Sequence, residues 1–599
     1  AHLDWLERDL RKARRPAIVM VHYPMGGDAF YVGNQDRFWA AIERFDVRAV
    51  IAGHVHREEV ARMNGLHVVT LPGILNVAAY HWVAPTPGLA ALTITRAQRN
   101  AAGAWAVTPV AEVPLAGDGP GSALRPRRVR VTDEAAVEVE LPPRAPAASA
   151  RARVWPEALY GGGSAAGWMP LAQDGRRWSG TLPTTGLAPG RHKVQVQVAD
   201  ATGALWESHD RFELPGDGAL RLAWERDLGA PIQAGVAALG GSALVAATVA
   251  GRVVVLDVGR RGAPWAGDAH AGQGDERAGR AGDEHAGDGD EPAGRGGGGS
   301  PRVRWSVDVG GAVFGTPLVD PDGRLVVVGT AGGRIVALRA SDGRVAWRFA
   351  TAQPALGAAT WTGAIPQAPH GAVLVPAGRT LYALDADDGG LLWQAATGGI
   401  VAGRPAATAT TAVVGSGDGR AHAFDLATGQ PRWQVVLSAR ESPYRTLIYG
   451  PWWTQATTLP GDRVVLSTVS AAWALDGATG AQAWRINGGW IYHQPLLLDD
   501  RVVLASERGD VVAVRPDTGA ELWRTTMPER VLGGSPTRWG DRLAVGGVNG
   551  LVATFDPATG AARGSFHAGV EYVHSGLAAA GEVLAIGSQD GVLRALAVG

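Results

Sequence analysis

One motif recurs along the second half of this chain and constrains its fold more than any other feature. Residues 383–393 read ALDADDGGLLW, 423–433 AFDLATGQPRW, 474–484 ALDGATGAQAW and 513–523 AVRPDTGAELW. In each copy a glycine, Gly389, Gly429, Gly480 or Gly519, precedes a tryptophan by four positions, as Gly343 precedes Trp347. Trp305, Trp347, Trp393, Trp433, Trp484 and Trp523 follow one another about 40 to 50 residues apart, the length of one four-stranded propeller blade. Each copy spells a hairpin. An apolar strand runs into an Asp-x-x-Thr-Gly turn, where Asp and Thr bond the local backbone and Gly supplies positive φ. The returning strand then carries its indole to a gap that recurs because the neighbour recurs.

Counting units predicts an eight-bladed β-propeller over 220–599. Strands before the turn end near Asp257, Arg339, Asp385, Asp425, Asp476, Arg515, Asp556 and Leu596. Returning strands lie at Trp224, Trp305, Trp347, Trp393, Trp433, Trp484, Trp523 and a degenerate Gly564. The last unit lacks a returning strand and the strand at Trp224 lacks partners before it, so the ring is expected to close by pairing the two, removing exposed sheet edges. With 84 glycines and 22 tryptophans and little helical periodicity, the chain is predicted to be multidomain and mostly β.

The repeats resemble the tryptophan-docking motifs of the quinoprotein-like propellers, the family of the pyrroloquinoline quinone dehydrogenases and of an outer-membrane assembly lipoprotein. The quinone enzymes add adjacent cysteines and an acidic calcium site near the channel. With no cysteine in the chain, a dehydrogenase is not expected and no pyrroloquinoline quinone is assigned. Trp361, Arg404, Trp490, Tyr492, His493, Glu571 and His574 fall on the innermost strands, where ordinary packing competes with a channel site. Residues 438–453, SARESPYRTLIYGPWW, combine Tyr, Arg and Trp in the manner of protein contacts and point to a protein partner on the propeller.

Residues 260–302 are Gly, Ala, Asp and Arg with almost nothing to bury, and are read as a disordered insertion in the first blade. Between 124 and 216 six or seven short alternating stretches, among them 136–141, 178–182 and 192–200, predict a small β-sandwich. Its later part, 187–203, resembles immunoglobulin-like and fibronectin III modules, implying a spacing role.

Residues 1–117 read as α/β. Helical patterns at 2–13 and 36–45 alternate with apolar strands at 17–21 and 48–52, and later strands are expected at 66–71 and 89–95. The first strand leads into His22-Tyr23-Pro24 and the second into Gly53-His54-Val55-His56, with Gly53 expected to supply a tight turn. Imidazoles at neighbouring strand tips suit a transition-metal site.

An apolar strand into His-x-Pro, then one into Gly-His-x-His, resembles the closing part of the calcineurin-like metallophosphoesterases. That resemblance implies that His22 and His54 ligate one metal and His56 the other of a divalent pair (Mn, Fe or Zn), cleaving a phosphomonoester or phosphodiester. The family's Asp-x-His, Gly-Asp and Gly-Asn-His motifs precede this point, and Gly33-Asn34-Gln35-Asp36 imitates only part of the last. The expectation is therefore an N-terminally truncated and inactive phosphoesterase segment ahead of the sandwich and propeller, with no catalytic residue assigned. The alternative is a non-catalytic propeller scaffold for protein binding or envelope assembly. A net charge of -1 provides no field to attract nucleic acid, and no apolar run is long enough to read as a membrane span or signal peptide. The propeller resemblance implies a periplasmic or secreted location.

Overall fold

The structure is a computed structural model that describes residues 2–25, 35–55, 57–72, 79–99, 103–117, 122–155, 167–216, 218–258, 301–438, 446, 450–490 and 492–599. His56, Gly33, Asn34, most of the 260–302 insertion and most of 438–449 lie outside them. The chain divides into two compact units. The first comprises 1–217 with 549–551 and 569–572, and the second holds the rest of 218–599.

Within the second unit, antiparallel four-stranded sheets follow the repeat. The first contains Ala237–Leu239, Ala243–Ala247, Arg252–Asp257 and Val303–Asp308, and the next Leu318–Val319, Leu325–Thr330, Arg334–Arg339 and Val345–Ala350. Four more sheets of this order run through to Glu521–Thr526, and the strands from Gly534–Trp539 to Ala562–His567 pair in the same succession. The second and third strands are apolar on both faces, as in Arg334–Arg339, whose four central residues are all buried. Burial on both sides is what a stack of sheets packed face to face demands.

The ends of the array meet as the unmatched strands anticipate. Leu220–Asp227 pairs antiparallel with Val592–Val598, placing Trp224 opposite Ala595 and Arg221 opposite Ala597. The innermost strand Ala578–Ala580 also lies against Ala237–Leu239. The two chain ends of this unit thus share one sheet, and one apolar core runs from Trp224 and Leu593 to Leu244 and Leu256.

Each recurrent tryptophan bridges two sheets. Its Nε1 donates to the carbonyl of the first turn residue in the following repeat: Trp305 to Ala340 (2.9 Å), Trp347 to Ala386 (2.8 Å), Trp393 to Leu426 (2.9 Å), Trp433 to Gly477 (2.9 Å), Trp484 to Pro516 (2.9 Å) and Trp523 to Pro557 (3.1 Å). The turn glycine lies flat on the same indole. A methyl group at Gly389 or Gly560 would come within 2.6 Å of Trp347 or Trp523. Trp224 is enclosed, and its Nε1 has no acceptor among the described residues.

The first unit has three layers of structure. Parallel strands Ala17–Met20, Val47–Ala52 and Leu66–Thr70, with antiparallel Glu59–Met63, pack against helices His2–Leu10 and Gln35–Ile42 over a core of Val19, Phe38, Ile42, Val50 and Val68. Ala17–Met20 is the edge strand, and Met20 is 76% exposed. A second sheet of Ala79–Pro85, Ala91–Arg99 and Trp105–Pro114 covers Ile51 and Val69. Residues 124–214 form two antiparallel sheets around one core that includes Val137, Val139, Trp178, Val194, Val196 and Phe212. Glu59–Met63 joins Leu205–Leu214 edge to edge, so the α/β part and the two-sheet part are continuous.

Candidate functional site

Antiparallel order decides which loops share a face of the second unit. Strands alternate in direction, so every link from the fourth strand of one sheet to the first of the next emerges on one rim, together with the links between second and third strands. The Asp-x-x-Thr-Gly turns occupy the other rim, where their carboxylates are consumed locally: Asp425 Oδ1 accepts from Thr428 Oγ1 at 2.9 Å, and Asp476 Oδ1 from Thr479 Oγ1 at 2.7 Å. These bonds hold Asp425, whose first influence is Arg432, and Asp476, whose first is Thr479, below the usual carboxylate range.

The rim of inter-sheet links is different in kind. It exposes Phe314 (38%) and Ile400 (47%), and partly exposes Trp452 and Trp453, whose rings stand 4.5 Å apart. Tyr492, at φ 74°, brings its ring 6.1 Å from Trp453. Of the segment singled out in sequence, only Ser438, Thr446 and 450–453 are described, and its two tryptophans do contribute to this rim. Phe314 and Ile400 escaped sequence reading. Their signal is an apolar residue inside a Gly-rich link, Gly-Ala-Val-Phe-Gly and Gly-Gly-Ile-Val, where no strand alternation accounts for it.

The expected channel residues separate. Trp490 is core, with Nε1 donating to the Ile486 carbonyl at 3.2 Å, and His493 is buried. Trp361 is partly buried against the core of its sheet. Glu571 belongs to the first unit, where it pairs with Arg211 (3.4 Å) and Lys193 (3.9 Å), so its charge is already engaged. His574 is exposed and Arg404 partly exposed, with protein packed around both. Surrounding protein disfavours the charged form of each. The His574 imidazole is pushed below its ordinary range, and the Arg404 guanidinium down to about 10.

At the strand tips of the first unit, His22 and His54 come together. His22 Nε2 lies 3.1 Å from His54 Nδ1, and Tyr23 packs its ring 4.6 Å from that of His54. The Gly53 amide donates to the His22 carbonyl (3.1 Å), tying the two tips. At the tight turn expected around Gly53, the left-handed residue is His54, at φ 67°, a conformation uncommon outside glycine. His56 lies outside the described residues, so the structure brings two of the three expected ligands together. Two neutral imidazoles at this separation suit a single cation. Among the described residues, however, no group of three His, Asp or Glu side chains converges, and no carboxylate stands ready to bridge two divalent ions. The described donors do not fit a two-metal centre, and no hydrolytic step is derived from them.

Comparison with known proteins bears on the second unit. Residues 299–446 and 507–598 match the family model of the outer membrane protein assembly factor BamB. No curated protein matches the chain. Similar solved structures include BamB from Moraxella catarrhalis (21% identity, TM-score 0.47, covering 63% of this chain and 99% of that one). They also include the computationally designed Ika8 protein (16%, 0.44, 62% and 98%) and the C-terminal WD40 domain of Sif2 (10%, 0.47, 63% and 98%). The family match, read with the successive four-stranded sheets, identifies the C-terminal part of this chain as a BamB-like β-propeller of the PQQ-repeat type.

Proposed function

We propose that the chain is a protein-binding scaffold: an eight-bladed, non-catalytic propeller that docks a protein partner on its rim of inter-sheet links, in an envelope-assembly role outside the cytoplasm. The observation carrying this reading is the exposure of Phe314, Ile400, Trp452 and Trp453 on links held by rigid sheets. Aromatic and aliphatic anchors on a fixed frame lose little conformational entropy on binding and dominate protein interfaces. The BamB family match supports the same reading, since that protein is described as an outer membrane protein assembly factor. Site-specific photo-crosslinking in the native host tests it. A crosslinker at Ile400 or Trp453 captures an adduct of defined mass, and one at Asp342 or Thr428 on the opposite rim does not. Equal capture from both rims, or none from Ile400 and Trp453, contradicts the proposal.

A second reading, metal-dependent phosphoester hydrolysis with His22, His54 and His56 as ligands, is favoured by the single observation of the His22–His54 contact. In a protein that also carries the family's Asp-x-His, Gly-Asp and Gly-Asn-His motifs, manganese-dependent cleavage of a chromogenic phosphomonoester, abolished in His54→Ala, is its expected result. Absence of cleavage, or full activity in the variant, removes it.

A further inference from the structure

Two of the enclosed arginines in the second unit have carboxylates beside them. Arg594 holds Asp590 at 2.6 Å and Glu225 at 3.5 Å, and Arg530 has Glu507 at 3.6 Å. Arg404 has neither carboxylate nor hydrogen-bond acceptor for its guanidinium among the described residues, and its Nε is sealed from solvent without a partner. Only Nε is sealed. The residue keeps partial exposure, so the outer fork of the guanidinium faces space that solvent reaches.

Its backbone is clamped from both sides. Gly403 leaves no room for a side chain against the Thr454 backbone, and the Arg404 carbonyl accepts from the Ala456 amide at 3.0 Å. The following Pro405 carbonyl accepts from Thr360 Oγ1 at 2.6 Å on the preceding sheet. Proline also restricts the residue before it to extended backbone. The side chain therefore starts from a fixed point between two neighbouring sheets. An enclosed cation with no counter-charge is costly, and it remains cationic at neutral pH even with its basicity reduced. A guanidinium fork with its outer donors free is the geometry that a planar or tetrahedral oxyanion matches.

We propose that Arg404 anchors a small oxyanion, a carboxylate or a phosphate, where its guanidinium meets solvent between these two sheets of the propeller. The site shares the link that carries Ile400 but uses neither the docking anchors nor the histidine pair. Thermal unfolding of the full chain tests it, in HEPES buffer with added inorganic phosphate or acetate and with sodium chloride at matched ionic strength as reference. The wild-type midpoint is expected to rise with concentration, by about 2 °C or more at ten times Kd, with at least one of the two anions. Which anion acts tells phosphate from carboxylate. Arg404→Gln and Arg404→Met lose the rise, and in the absence of either anion Arg404→Met unfolds no lower than wild type, because it removes an uncompensated charge. An equal anion-specific rise in both variants overturns the proposal. So does a wild-type response no larger than that to chloride, or a sharp fall in the anion-free midpoint of Arg404→Met, which would mean that the protein itself supplies the counter-charge.

Discussion

Gly429 shows why the repeat is spelled as it is. Its φ of 71° suits glycine, and its α-carbon lies so close to Trp393 that a methyl group would sit 2.7 Å from the indole. Gly429→Ala is expected to destabilise the second unit by about 2 to 3 kcal/mol, combining left-handed strain with displacement of the ring; denaturant unfolding measures it. Trp393→Phe keeps most of the apolar contact and loses the bond to Leu426, for about 1 kcal/mol, whereas Trp393→Ala costs about 3 to 5 kcal/mol. In the first unit the informative residue is Glu207. It is fully enclosed, accepts from Gln35 (2.5 Å), Gln195 (2.7 Å) and Gln197 (2.9 Å), and lies 3.4 Å from His209 Nε2 with Arg153 and Lys193 nearby. Burial pushes its carboxyl up to about 7 against the pull of these donors and cations. A raised carboxyl pKa means that the folded state holds a proton which the unfolded state has released between about pH 4.5 and 7, so this group's contribution to stability falls as pH rises through that window. Glu207→Gln should therefore gain stability relative to wild type as pH goes from 5 to 8. A constant difference across that range contradicts the assignment.

At the scale of strands, alternation was a good guide where one face meets water and a poor one where both faces are covered. Over 192–200 the polar Lys193, Gln195 and Gln197 alternate with Val194, Val196 and Val198. The structure buries both sets, with Gln195 at 0% and Lys193 at 2% exposure, because the α/β part covers the polar face. Helix Gln35–Ile42 delivers Asp36 to Lys193 at 2.6 Å, and Asn64 binds the Glu207 backbone twice, Oδ1 to N at 2.7 Å and Nδ2 to O at 3.1 Å. A polar strand face buried under a polar helix end looks, in sequence, like a solvated edge. The Gln35-Asp36 half of the imitation metal motif thus works in packing. Asn64→Ala is expected to cost about 1 to 3 kcal/mol by leaving backbone groups of Glu207 unpaired, and to speed amide exchange in 59–70. The helices at 2–13 and 36–45 and the strands at 17–21, 48–52 and 66–71 were legible because their apolar period was clear. Ala79–Pro85 and Trp105–Pro114 were not read from sequence; their exposed Tyr80, Trp82, Trp105 and Val107 break the expected inward pattern.

For the molecule as a whole, what could be read from sequence was set by repetition. Six copies of the same hairpin overdetermine the second unit, so its strands, turns and tryptophan contacts all follow from one spacing rule. The histidine pair could be read only because two strand ends carried it in recognisable order; His56 lies outside the described residues. Arg404 was singled out in sequence and Phe314 and Ile400 carry a local signal in their Gly-rich links, but which rim the links share and which charge finds a partner are set by packing between repeats. The array closes through its own ends, Leu220–Asp227 lying beside Val592–Val598. Because the chain has no cysteine, Arg221→Cys with Ala597→Cys creates its sole thiol pair, at positions that face each other in that register. Oxidation of the double variant should give an intramolecular disulfide, seen as faster gel migration and loss of both free thiols, with a raised unfolding midpoint. Thiols that stay free, or that bridge only between chains, would contradict this closure.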